Sequence, residues 1–171
     1  VVVASLREES CLTVLFEAVA RISGLYLWIV GEGPLREELE DRALEIGIKP
    51  RARFVGWRYD ASALIGAADL VVCPAEKDDV GSHDREAWAC TKPVIAANSL
   101  GARLLINHRD NGILVPIDDP RSMAEAIKWL LQDLSLSQRL AEAGRAAFEN
   151  SHTTAATVPK YLSTFRSIVR G

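Results

Sequence analysis

The densest concentration of groups able to do chemistry lies between Glu76 and Glu86, in the run EKDDVGSHDRE, which holds five acidic and two basic residues. Such carboxylates can bind a divalent cation, accept hydrogen bonds from ligand hydroxyls, or lie in water near the positive end of a helix dipole. A metal set drawn from Asp78, Asp79, His83 and Asp84 offers hard oxygen ligands, but its spacing matches no cation-binding loop. The second candidate is GEGP at 31–34. It is a G-x-G without the third glycine of the dinucleotide fingerprint, and it follows the second strand pattern rather than the first. The plainer reading is a tight turn in which Gly31 and Gly33 relieve steric crowding. There is no GxxxxGK[ST] phosphate loop, no GxSxG elbow and no HExxH pair, and His83, His108 and His152 are far apart.

These residues need a frame, and the apolar pattern supplies one. Short apolar runs at Val1–Ala4, Leu25–Val30, Arg53–Gly56, Leu70–Cys73, Val94–Ala97 and Ile113–Val115 read as strands. The nearly continuous LYLWIV is the signature of a strand buried on both faces. Helical patterns separate the runs: Leu12–Ile22, Leu35–Ile46 and a short helix from an Asp60 N-cap to Ala68. The last third is helical, with Asp119-Pro120 opening one helix, Ser135–Phe148 a second and Val158–Val169 a third. Strands joined by helical crossovers make a parallel sheet, so the expected fold is a doubly wound, Rossmann-like α/β domain of about six strands. Ligands of such sheets bind beyond the C-terminal strand ends, near the switch point of the strand order. That places the functional search in 5–11, 31–34, 56–60, 74–82 and 98–103.

The 171 residues make one domain the default, with no internal repeat or low-complexity linker. A net charge of −3 argues against a nucleic-acid partner, which needs a basic stripe. Cys11, Cys73 and Cys90 form no CxxC pair, so neither a disulfide framework nor a zinc site is indicated, and a reducing cytoplasm is expected. No apolar run is long enough for a membrane span. The chain opens on Val1-Val2-Val3 without an initiator Met, the expectation for a domain excised from a longer protein.

Read continuously from Val71, the chain runs VVCPAEKDDVGSHDREAWACTKPVIAANSLG, followed by DNGILVP at 110–116. This resembles glycosyltransferase family 4 and the related bacterial group 1 glycosyltransferases, where a strand leads into an acidic E-x7-E element, then EAxAxGxPVIA, a Gly-Gly loop and NGxLVP. The resemblance also covers VGEGPLREELE at 30–40, FVGW at 54–57, AADLVVCP at 67–74, DDPRSMAEAI at 118–127 and AGRAAFE at 143–149. It implies the C-terminal, donor-binding half of a two-domain GT-B enzyme, with an N-terminal acceptor domain outside this chain.

The resemblance also implies roles. Glu86, the second acid of the pair, would take the ribose hydroxyls of a nucleotide-diphosphate sugar, and Asp78, in the first position, would face the transferred sugar as the catalytic-site acid. Gly81, flanked by Val80 and Ser82, would let backbone N–H groups approach the phosphates. Val55 and Gly56 match the region that holds the base through main-chain contacts. No cofactor and no metal are expected, because these retaining enzymes neutralise the leaving diphosphate with an Arg and a Lys. Here those positions are Ser5 and Ser10. Losing one preorganised donor costs roughly 10²–10³ in rate, and Arg7, two residues beyond Ser5, is the candidate substitute on strand alternation. The family's loop glycine and loop Glu are replaced by Leu100 and Leu104, and the polar triplet His83-Asp84-Arg85 stands where the family is mostly apolar.

Three readings follow. The chain is the donor domain of a retaining glycosyltransferase, cytoplasmic or peripheral at the inner membrane face in the full-length protein. Alternatively it is a degenerate relative kept for binding or scaffolding, as the lost cations suggest. A metal-dependent hydrolase is the third, disfavoured by the absence of His-rich spacing. The final helix resembles the family's terminal helix, whose apolar face would cover the N-terminal domain, mediate dimerisation, or pack on its own domain.

Overall fold

Residues alternating along each strand face opposite sides of a sheet, and here the two sides bury into two different cores. The computed structural model describes residues 1–76 and 82–170, without the side chains of Ser82, Ser167, Val169 and Arg170. Its six strands are β1 (Val2–Val3), β2 (Leu27–Val30), β3 (Ala52–Gly56), β4 (Val71–Cys73), β5 (Val94–Ala97) and β6 (Ile113–Val115). Val2, Ile29, Val72, Ile95 and Ile113 enter one core. Val1, Val30, Val71, Cys73, Val94 and Ala96 enter the other. Both faces are therefore apolar, as a sheet covered by helices on each side requires.

All strand pairs are parallel, in two three-stranded sheets of order β1-β2-β3 and β4-β5-β6. Main-chain bonds join them edge to edge: the Val1 nitrogen donates to Leu70 O at 2.9 Å, and Val72 N–H donates to Val1 O at 2.9 Å. The combined order is 3-2-1-4-5-6, and the order reverses between β1 and β4.

Helices α1 (Leu12–Ala20), α2 (Arg36–Glu45) and α6 (Pro120–Gln132) supply the first core, through Leu15, Phe16, Leu39, Met123 and Ile127. Helices α3 (Ala61–Ala67), α4 (Ser82–Ala89) and α5 (Leu100–Leu105) supply the second, through Ile65, Ala87, Trp88 and Ala102. Helix α7 (Leu134–Ser151) spans both: Leu136 and Leu140 enter the first, while Ala147 and Phe148 pack against the second. The Asp119 carboxylate caps α6 by accepting from Ser122 N–H at 2.9 Å, as Asp-Pro at 119–120 predicts.

Three elements differ from the sequence reading. Residues 100–105, expected as a loop, form α5 because the Ser99 hydroxyl accepts from Ala102 N–H at 3.1 Å and starts a turn. Asp60 flanks α3 without capping it, since its carboxylate is taken by Arg58. The last helix, α8 (Thr154–Arg170), begins four residues before Val158, because Thr153 Oγ1 accepts from Ala156 N–H at 3.2 Å and Pro159 is tolerated inside it. Beyond Thr157, α8 leaves its own domain: Val158, Tyr161, Leu162, Phe165 and Ile168 are 46–68% exposed. Packing of that face on its own domain is therefore not what the fold does.

His152 closes α7, with its ring 6.5 Å from Trp88 and 6.4 Å from Phe148. Burial, with Arg85 and Lys160 adding positive charge, holds its imidazole below the ordinary 6.5. The unfolded chain then binds the proton more readily, so stability present above pH 6.5 falls as the pH drops through and below that value. Urea titrations at pH 7.5 and 5.5 should show a smaller loss in His152→Gln than in the unaltered chain; equal losses would remove His152 from the acid sensitivity.

Candidate functional site

Three loops at the C-terminal strand ends are tied into one surface. Ala4 N–H donates to Val30 O at 3.0 Å, Leu6 N–H to Glu32 O at 3.0 Å, and Leu35 N–H returns to Leu6 O at 3.1 Å. Gly31 N–H donates to Gly56 O at 2.9 Å, which adds the loop after β3. This explains the GEGP turn. A Cβ on Gly31 would lie 1.9 Å from Ala4 O, and one on Gly33 would lie 2.4 Å from Leu6 O. The glycines admit the β1–α1 loop, and Gly31 also sits at φ +140°, where side chains are strained.

Ser5 and Ser10, where the resemblance expects cations, are joined to each other. Ser10 is buried, and its hydroxyl donates to the Ser5 carbonyl, closing the turn. Strand β1 ends at Val3, so alternation does not carry to Arg7. Arg7 instead precedes a 3-10 turn at Glu8–Ser10, and its side chain is exposed with no hydrogen bond or ion pair among the described residues. It remains a cation beside the switch point.

Across that switch point, α4 buries Asp84, Ala87 and Trp88 and leaves Glu86 exposed. The helix repeat explains the contrast, since Asp84, Ala87 and Trp88 share one face. The polar triplet thus splits: Asp84 points inward, while His83 and Arg85 are half-buried. Ser82 opens α4; Asp78, Val80 and Gly81, with Asp79 of the metal alternative, lie outside the described residues. Leu100 and Leu104 sit on α5 beyond β5, 70% and 71% exposed.

Val55 is half-buried, and Gly56 turns the chain out of β3 at φ +79°. Behind it Arg36 pairs with Glu32 and Glu40, Glu40 also pairs with Lys49, and both cations lie near the Phe54 ring, at 6.0 and 5.3 Å. The hydrogen bond from Lys49, aided by Arg36, holds the Glu40 carboxyl below its ordinary value. The strand-end surface is thus braced on its outer side.

Two features were not read from sequence. Asn111 is a bracket: its side-chain oxygen accepts from Asn107 N–H at 2.8 Å, and its carbonyl accepts from Trp88 Nε1 at 3.0 Å. Trp57 and Tyr59, in the loop after β3, are both exposed; Trp57 ends the FVGW motif, but its pairing with Tyr59 has no sequence signal. A cavity of about 400 Å³, lined by Tyr26, Trp28, Arg53, Asp69 and Leu131, lies at the opposite edge, where β2, β3 and β4 begin. Ligands of doubly wound sheets bind at the C-terminal strand ends, so the strand-end surface is the better candidate.

The model of the family described as glycosyl transferases group 1 matches residues 1–147. This chain belongs to the group 1 glycosyltransferases. It is 35% identical over 153 residues to the lipopolysaccharide core biosynthesis glycosyltransferase LpsE of Rhizobium meliloti, covering 90% of this chain and 45% of that protein. Among solved structures, it superimposes on Anabaena HepE in complex with UDP with a TM-score of 0.86 and 26% identity, over 95% of this chain and 48% of HepE. The C-terminal domain of a group 1 protein from Francisella tularensis shares the fold, with a TM-score of 0.80 at 22% identity, over 90% of this chain and 85% of that domain. The fold is thus that of the C-terminal Rossmann-like domain of GT-B glycosyltransferases. The group 1 chain spans about half the length of the relatives it matches.

Proposed function

We propose that this chain is the donor-binding domain of a retaining glycosyltransferase that moves a sugar from a nucleotide-diphosphate sugar to an acceptor in glycan, lipopolysaccharide or glycolipid assembly. The observation that carries the reading is Glu86: a carboxylate left exposed on a helix whose Asp84, Ala87 and Trp88 are buried, across the switch point from the β1–α1 loop. Two carboxylate oxygens suit the vicinal hydroxyls of a ribose. Arg7, on the facing loop, would balance part of the diphosphate charge, and Asp78, Val80, Gly81 and Ser82 would meet the sugar and phosphates. HepE, solved with UDP-glucose, supports the ligand class, and LpsE supports the assembly context. No cofactor or metal is required by this reading. A second domain would supply the acceptor site, and the exposed α8 face would seat against it. The enzyme would work in the cytoplasm or at the inner membrane face; no helix among the described residues is long and apolar enough to cross a membrane.

The Ser10–Ser5 contact favours a second reading, a domain that binds the donor without efficient transfer, because neither position presents a cation. Calorimetry with UDP-, GDP- and ADP-sugars tests the shared core of both. Glu86→Ala should weaken binding by about 1.5–3 kcal/mol, the range for a hydrogen bond to a charged group. Unchanged affinity would remove Glu86 from the site.

A further inference from the structure

The loop between β3 and α3 is built in an unusual way. Trp57 is 59% exposed and Tyr59 94% exposed, although rings of this size contribute most when buried. The two rings meet edge to face, with centroids 4.1 Å apart at 79°. Between and after them, Arg58 and Asp60 form a two-point fork, Nε to Oδ1 at 2.7 Å and Nη2 to Oδ2 at 2.8 Å. Alternate positions therefore pair with one another: aromatic with aromatic, charge with charge. Asp60 stands where a cap for α3 would be, yet its side chain makes no cap. The local preference for a cap is given up to hold Arg58. The start of the loop is fixed as well, by the bond from Gly31 N–H to Gly56 O at 2.9 Å.

A braced, solvent-facing indole at a ligand-facing strand end is suited to a planar ring. A nucleobase offers a π face whatever its edge, and base–aromatic stacking is tolerant of base identity for that reason. Edge reading by side chains would need free donors and acceptors. In this loop the guanidinium and the carboxylate are already engaged with each other.

We propose that Trp57, braced by Tyr59, is the stacking platform for the nucleobase of the donor, and that it grips purine and pyrimidine nucleotides without side chains that read their edges. The proposal rests on the donor-binding reading above and adds to it the residue and the mode by which the base is held.

The test is calorimetric titration of this chain and of Trp57→Ala and Trp57→Phe with UDP, GDP, ADP and glucose 1-phosphate. Because Trp57 is largely exposed, the variants should keep the unaltered thermal midpoint, which circular dichroism checks. The three nucleotides should bind the unaltered chain within about tenfold of one another. Trp57→Ala should weaken each by about 5- to 150-fold, as loss of one stacked base implies. Trp57→Phe should recover most of that loss, and glucose 1-phosphate should respond to neither change. Nucleotides that bind equally well to Trp57→Ala would overturn the platform and leave the donor reading standing. A parallel loss of glucose 1-phosphate would assign the rings to a sugar instead, and a hundredfold preference for one nucleotide would overturn the indifference to base. If the unaltered chain binds none of the nucleotides, the donor reading fails, and the platform with it.

Discussion

Trp88→Ala should cost about 3–5 kcal/mol of folding free energy, the range for removing a large buried aromatic. Trp88 is 1% exposed and is the largest of the fully buried side chains. It also connects more of the fold than its volume suggests. Its indole N–H donates to Asn111 O at 3.0 Å, linking α4 to the turn before β6. Its ring lies so close over α7 that a Cβ on Gly144 would come within 2.2 Å of Cδ1. The alanine variant leaves a cavity between α4 and α7 and strands the Asn111 carbonyl. Since α4 carries Glu86, donor affinity should fall along with stability. Urea unfolding gives the first quantity; a loss under about 1 kcal/mol would mean that the α4–α7 interface repacks freely.

Gly31→Ala should be nearly as damaging, by about 3 kcal/mol or more, from backbone strain and overpacking together. The clash is with a main-chain oxygen, Ala4 O at 1.9 Å, so no change of rotamer relieves it. Relief requires the β1–α1 loop to move away, which breaks the bonds from Ala4 to Val30 and from Leu6 to Glu32. Gly66→Ala is the internal control. It lies within α3 with nothing within 4 Å of a Cβ, and should be neutral or stabilising by up to about 1 kcal/mol. Thermal melts of the two variants should move apart. Similar small shifts in both would show that the two loops are not tied as described.

All six strands were legible in the sequence because buried parallel strands read as apolar, β-branched runs, and helices separated them. What escaped depended on contacts between distant residues. GEGP reads locally as a turn, and only the approach of Ala4 and Leu6 shows why both glycines are needed. Asp60 has the type and place of a cap, and a side-chain competitor two residues earlier takes it away. The α8 start was misplaced because the apolar pattern begins at Val158, whereas the Thr153 hydroxyl starts the helix earlier. At the site, Glu86 was marked by its family motif, and its exposure beside buried Ala87 follows from the helix period. Asp78, Val80 and Gly81 lie outside the described residues, and Arg7 lost its alternation argument once β1 ended at Val3. Trp57 ended the FVGW motif, but its pairing with Tyr59 carried no signal, because exposure of an aromatic pair is a property of the folded surface.

The central claim is that a nucleotide sugar binds across the switch point between β1 and β4, at the C-terminal strand ends. Amide hydrogen–deuterium exchange with and without UDP-glucose tests it directly. The account predicts new protection in 4–11, 31–35, 56–60 and along α4, with none at 25–28 or 67–70. Protection confined to 25–28 and 67–70, around the cavity lined by Tyr26 and Asp69, would contradict it, as would an exchange pattern that UDP-glucose leaves unchanged.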